Sequence, residues 1–102
     1  MKYYQILISS ENERQANAIL DALLQKKLVL GGPILKGPAK FWWRKKIVSM
    51  GYCFVLTYSI AKLKGSITRE VEKVSEEEVP MISFMPFEPN QKLRKLIDQT
   101  LK

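Results

Sequence analysis

Proline sorts the strand-like segments of this chain into two kinds. Four segments are rich in β-forming residues: KYYQILIS, LVLGGPILKGPAKFWW, KIVSMGYCFVLTYS and VPMISFMPF. Pro33 and Pro38 fall in the second, Pro80 and Pro86 in the fourth, and none in the first or third. Proline lacks the N–H that a ladder needs on both sides, so within a sheet it belongs at an edge. The second and fourth segments are therefore expected at the edges and the other two at the centre.

Helical periodicity fills the gaps. Ser10-Glu11-Asn12-Glu13 reads as a capping box. Ala16, Ile19, Leu20, Leu23 and Leu24 follow on one helical face. After the third strand, Ser59 is placed to cap a second helix with Ile60, Leu63, Ile67, Val71 and Val74 on its apolar side. Gly65 lies inside that helix, at a cost of about 1 kcal/mol relative to Ala. A last helix starts near Pro89-Asn90, with Leu93, Leu96, Ile97 and Leu101 together. The order is βαββαβ plus a C-terminal helix, which implies an α+β, ferredoxin-like sandwich with spatial strand order 4-1-3-2. Residues 1–102 read as one domain, and 46% hydrophobic residues are enough for its core. Gly31-Gly32-Pro33 and Gly37-Pro38 read as bulges in the second strand; neither has phosphate-loop spacing.

Several chemistries are excluded by composition. The chain has no histidine, so the commonest general base and metal ligand is missing. Its one cysteine, Cys53, sits in an apolar run and is expected as a buried thiol in a reducing compartment, the cytoplasm. No triad, Cys–His pair or zinc set can be assembled within one chain, and no catalytic residue and no cofactor is expected. No apolar run reaches membrane-spanning length, and the N-terminus has no signal-peptide pattern. Glu76-Glu77-Glu78 could hold only a hard divalent cation, weakly; the ordinary reading is a solvated loop, and no metal site is assigned. Met50, Met81 and Met85 are read as core filling.

The net charge is +7, and Lys36, Lys40, Arg44, Lys45 and Lys46 form a segment with no acid. Within it stands FWWRKKI, Phe41 to Ile47. Adjacent strand residues face opposite ways, so Trp42 and Trp43 cannot make one stacking platform. One is expected in the subunit core and the other on the far face of the sheet, against another chain. A nucleic-acid module of this topology would carry its aromatics on the central strands, and the third strand lacks that signature. Assembly is the stronger reading of the pair.

Together these features resemble the CutA family, the divalent-cation tolerance proteins. FWWRKKI is similar to the family's Tyr-x-Trp-x-Gly-x-Ile pattern, VLTYS precedes the second helix, and EEEVPMISFMPF has the family's acidic-Val-Pro approach to the last strand. The departures are Arg44-Lys45 where a Gly usually follows the Trp, Met50-Gly51-Tyr52 where an acid is usual, Tyr58-Ser59 for Lys-Thr, and Ser75-Glu76-Glu77 for His-Pro-Tyr. The resemblance implies a homotrimer joined through long β-hairpins, with Trp42 and Trp43 at the interface. It also implies an intersubunit cleft formed by Phe41, Trp43, Lys46, Tyr58, Glu78 and Pro80, and a noncatalytic role in the response to divalent metal ions. The chain's partner is then itself, with a weakly held divalent cation or small anion as ligand and no membrane. The alternatives are a PII-like trimeric binder of a small anionic ligand and, less favoured, a nucleic-acid-binding module.

Overall fold

A computed structural model describes residues 2–101. It contains β1 (Tyr3–Ser10), α1 (Glu13–Gln25), β2 (Ile34–Trp43), β3 (Lys46–Ile60), α2 (Lys64–Val74), β4 (Ile82–Pro86) and α3 (Gln91–Thr100). The strands form one sheet in the order β2-β3-β1-β4, and every pairing is antiparallel. This is the ferredoxin-like α+β arrangement, with β2 and β4 at the edges.

The register divides the sheet into two faces. Ile6 pairs with Thr57, Ile8 with Val55 and Ser10 with Cys53, so these residues point to one side. There Ile6, Ile8, Cys53 and Val55 pack against Ala16, Ile19 and Leu23 of α1 and Ile67 and Val71 of α2. All of them are buried. On the other face, α3 covers one end only: Ile97 and Leu101 pack with Tyr3 and Ile60, and Tyr58, Phe87 and Leu93 border them. Leu7, Phe54 and Leu56 of that face stay half-buried, and Leu35, Met81 and Met85 are exposed. Met81 and Met85 therefore do not fill the core, as their composition suggested, but extend this open face.

Local details differ from the sequence reading for identifiable reasons. Asn12, not Ser10, caps α1: its side chain accepts from the Gln15 amide at 2.9 Å, while Ser10 Oγ donates to the Asn12 carbonyl at 2.8 Å. Leu24 is exposed, so the buried stripe of α1 stops at Leu23. Ser59 caps no helix. It is buried in β3, which runs on to Ile60, and its hydroxyl donates to the Leu28 carbonyl at 2.6 Å. A short 3₁₀ turn, Ala61–Leu63, intervenes before α2, and Ile60 belongs to the cluster under α3. On α3, Leu96 is exposed.

Pairing between β2 and β3 is unbroken from Ile34↔Val55 to Trp43↔Lys46, so Gly37-Pro38 makes no bulge. Residues 28–33 lie outside β2: Leu30 N–H donates to Tyr58 O, and Leu56 N–H to Pro33 O. Pro33 and Pro80 precede their strands, while Pro38 and Pro86 lie within them, on the two edges. Gly32 approaches β3 so closely that a β-carbon there would collide with the Leu56 carbonyl oxygen.

Candidate groove at the hairpin

β1 ends opposite Cys53, but β2 and β3 continue as a two-stranded hairpin toward Arg44-Lys45. Both turn residues have positive φ, 49° and 68°, as a two-residue turn of type I′ requires. Neither is Gly or Asn, so the turn carries backbone strain.

Period-two alternation now assigns the aromatics. Ile34 lies on the helix-covered face, and with no bulge so does every second residue after it, Trp42 included. Phe41 and Trp43 lie on the opposite face. The hairpin extends past the helices, so neither tryptophan enters the subunit core: Trp42 is 71% exposed and Trp43 37%. The expectation of one core tryptophan is thus corrected, because helices α1 and α2 end short of the tip.

Residues 75–81, between α2 and β4, run beside the free length of β3. Ser9 anchors them, donating its N–H to Met81 O at 2.9 Å and accepting the Met81 N–H on its hydroxyl at 2.8 Å. The same hydroxyl donates to Glu77 Oε1 at 2.9 Å, and the Tyr52 hydroxyl donates to Glu77 Oε2. Burial pushes the Glu77 carboxyl above the usual glutamate range; the Ser9 hydrogen bond opposes this and nearby Glu11 adds to it. Gln15 Oε1 accepts the Glu76 N–H at 2.9 Å. At the tip, the Arg44 guanidinium donates to Glu78 Oε1 at 2.8 Å and lies 5.2 Å from the Trp43 ring centre.

A groove of about 560 Å³ lies between this loop and the hairpin. Phe41, Trp42, Trp43 and Tyr52 line it together with the acids Glu11, Glu76, Glu77 and Glu78. Phe41 and Tyr52 are tilted together at 5.5 Å, and Tyr52 meets Phe54 edge-on at the same distance.

Of the residues expected in a cleft, the structure brings Phe41, Trp43 and Glu78 together. Lys46 is exposed opposite Trp43 at the tip, and Pro80 is half-buried just before β4. Tyr58 stands apart within one chain. It is ten residues along β3 from Val48, the partner of Phe41, hence about 33 Å away. It packs against Phe87, 5.4 Å between ring centres. Tyr52, Glu77, Ser9 and Arg44 were not anticipated as a set. Parity along the third strand puts Tyr52 on the same face as Phe41, but the register sets Tyr52 across from Gly37 and Phe41 across from Val48, so only the side-chain packing joins them, and nothing local ties Ser9 to Glu77.

The three consecutive glutamates do not converge on a metal. Glu76 pairs with Arg14 at 3.0 Å, Glu77 is held by Ser9 and Tyr52, and Glu78 reaches Arg44. Among the described residues, no group of three or more His, Cys, Asp or Glu side chains is placed to hold a metal ion. No helix among them is long and apolar enough to cross a membrane.

The sequence matches no protein-family model and no curated protein. Solved structures do match. The structure described as the periplasmic divalent cation tolerance protein CutA from Archaeoglobus fulgidus superposes with a TM-score of 0.93 at 24% identity, covering 98% of this chain and 99% of that one. CutA1 from Oryza sativa gives 0.93 at 15% identity, over 100% and 95% of the two chains. The divalent cation tolerance protein of Thermus thermophilus gives 0.92 at 19%, over 98% and 99%. Over the described residues the fold of this chain is that of the CutA proteins.

Proposed function

We propose that this chain is a divergent CutA-like protein that works as a homotrimer in the response to divalent metal ions, binding or signalling without catalysis. The observation that carries the reading is the open face of the sheet. Leu35, Met81 and Met85 are exposed there beside half-buried Leu7, Phe54 and Leu56, and the face continues onto Phe41 and Trp43 of the protruding hairpin. Apolar area of this kind on a small chain calls for a partner. Two proline-bearing edges, β2 and β4, lie beside it and are free to meet neighbours. A trimer in which hairpins cross onto neighbouring sheets would cover this face.

Within one chain Tyr58 lies about 33 Å along β3 from the Phe41–Trp43–Glu78 groove, so the proposed cleft needs a neighbour to supply it. Glu76, Glu77 and Glu78 of a single chain do not fit a divalent ion, since each already has its own donor. Any cation is therefore held weakly, between chains. A cytoplasmic location is part of the proposal, and the lone buried thiol of Cys53 supports it. The PII-like alternative gains nothing from the hairpin, because a two-residue turn supplies no long ligand loop.

Native mass spectrometry of the untagged protein, with and without added Cu²⁺ or Zn²⁺, tests both halves of the proposal. A trimer with weak, non-stoichiometric metal adducts is expected. A monomer would overturn the assembly. Stoichiometric submicromolar metal would overturn the reading of the carboxylates.

A further inference from the structure

The helix-side face of the hairpin has a different character from the groove face. Going along β2, Lys36, Pro38, Lys40 and Trp42 alternate onto it, opposite Cys53, Gly51, Ser49 and Ile47. Trp42 and Ile47 form an exposed cross-strand pair, 71% and 65% accessible. No acid stands on this face of either strand. Among the described residues, Lys40 on this face and Lys45 in the turn beside it make no salt bridge, and Lys36 has only an exposed pair with Glu13 at 3.1 Å, which screens little of its charge. Between the lysines, Pro38 and Gly51 form a low floor; a β-carbon added at Gly51 would meet nothing within 4 Å.

We infer that this face binds single-stranded nucleic acid, with a base stacked on Trp42 and phosphates drawn to Lys40 and Lys45. The physical match has three parts. A sequence-tolerant single-strand site combines a cationic track with an exposed aromatic ring. From Lys36 to Trp42 the strand rises about 20 Å, the reach of a few nucleotides. The smooth Pro38–Gly51 row lets a backbone pass close to the sheet.

Two other occupants fit less well. A second copy docked through this same face would set like charges against each other, and they repel. A bilayer-inserting hairpin would lead with apolar residues, whereas this one leads with Arg44 and Lys45 and carries Trp42 on its flank. The inference goes beyond the proposed function, which rests on the open face of the sheet; of the residues used here only Trp42 also lines the groove.

The experiment is fluorescence anisotropy of labelled oligo(dT) with the full chain. Native mass spectrometry of each variant is run in parallel. Binding is expected to weaken steeply between about 50 and 200 mM salt, as counterion release requires. Trp42→Ala is expected to lower affinity at least about fivefold, the loss of one stacked base. Gly51→Glu, which adds a carboxylate in open space, is expected to lower it comparably. Both variants should keep the wild-type subunit number. Four results overturn the inference: no binding at low salt; binding that neither variant changes, which is general charge attraction; disassembly by Trp42→Ala, which assigns the ring to a copy–copy contact; or Trp42-dependent binding to phosphatidylserine vesicles with none to oligo(dT). A wild-type chain that is monomeric yet binds oligo(dT) through Trp42 would sink the assembly proposal and leave this one standing.

Discussion

Trp42 and Trp43 are neighbours in sequence but occupy opposite faces of one hairpin, Trp42 across from Ile47 and Trp43 across from Lys46. Trp43 shares its face with Phe41 and the uncovered half of the sheet, where a neighbouring chain would sit. Trp43→Ala is expected to leave a folded chain and weaken assembly by at least about 2 kcal/mol, the scale of an interface hot spot. Trp42→Ala is expected to leave assembly unchanged. Sedimentation velocity across a dilution series measures both. Equal effects of the two substitutions would contradict the division of faces.

The turn at the tip carries strain that can be relieved. Lys45 holds a φ of 68°, which costs an L-residue with a side chain about 1–2 kcal/mol. Lys45→Gly removes the steric cost and adds some flexibility to the unfolded chain. A net gain of up to about 1 kcal/mol is expected, read as a higher urea midpoint at constant slope. Lys45→Ala, which keeps the β-carbon, should show no such gain.

Two other glycines respond in opposite directions. Gly65 lies inside α2, and an added β-carbon meets only the end of the Arg69 side chain, at 3.3 Å. That side chain is flexible, so Gly65→Ala should stabilise by about 0.5–1 kcal/mol through helix propensity. At Gly32 the same methyl group meets the backbone oxygen of Leu56, which cannot move without breaking the Pro33–Leu56 hydrogen bond. Gly32→Ala should cost more than about 2 kcal/mol. Paired denaturation curves of the two variants check the contrast.

Glu77 gives the stability a pH dependence of known sign. Its folded value is raised above 4.5, chiefly by burial, so the folded state holds the proton more tightly than the unfolded chain. The favourable contribution is fully present below 4.5 and is lost as pH rises through the raised folded value. Glu77→Gln removes this titration and keeps one acceptor oxygen, while the hydroxyl at the other position must turn to accept from the amide NH2. The wild type should therefore lose stability relative to Glu77→Gln as pH rises above about 4.5. Urea midpoints of both proteins over that range give the comparison, and a difference that runs the other way would mean the carboxylate is favoured in the fold.

Much of the fold was legible because local signals agreed. Alternation marked the strands, spacing at three and four marked the helices, and the proline pattern separated edge from central strands before any pairing was known. The failures were at places where a tertiary contact outbids a local rule. Ser59 has the chemistry of a helix cap, but β3 continues and its hydroxyl bonds to Leu28. Gly37-Pro38 looks like a bulge, yet the edge strand needs no donor there and the register runs straight through. At the groove, Phe41, Trp43 and Glu78 were legible through their resemblance to a known pattern. The Ser9–Glu77–Tyr52 set was not, since its members come from three separated segments and only the course of residues 75–81 joins them. The exposure of Trp42 depends on where α1 and α2 stop relative to the hairpin, a distance that no periodicity records.

The central claim is that the open sheet face, with Trp43 at its end, is closed by two further copies of the chain. Gel filtration with light scattering on the untagged protein at micromolar concentration measures this directly. The expected mass is three times the 11.8 kDa of one chain, unchanged on moderate dilution. A mass of 11.8 kDa would contradict it, because a monomer would leave Leu35, Met81, Met85 and the hairpin aromatics in water with nothing to cover them.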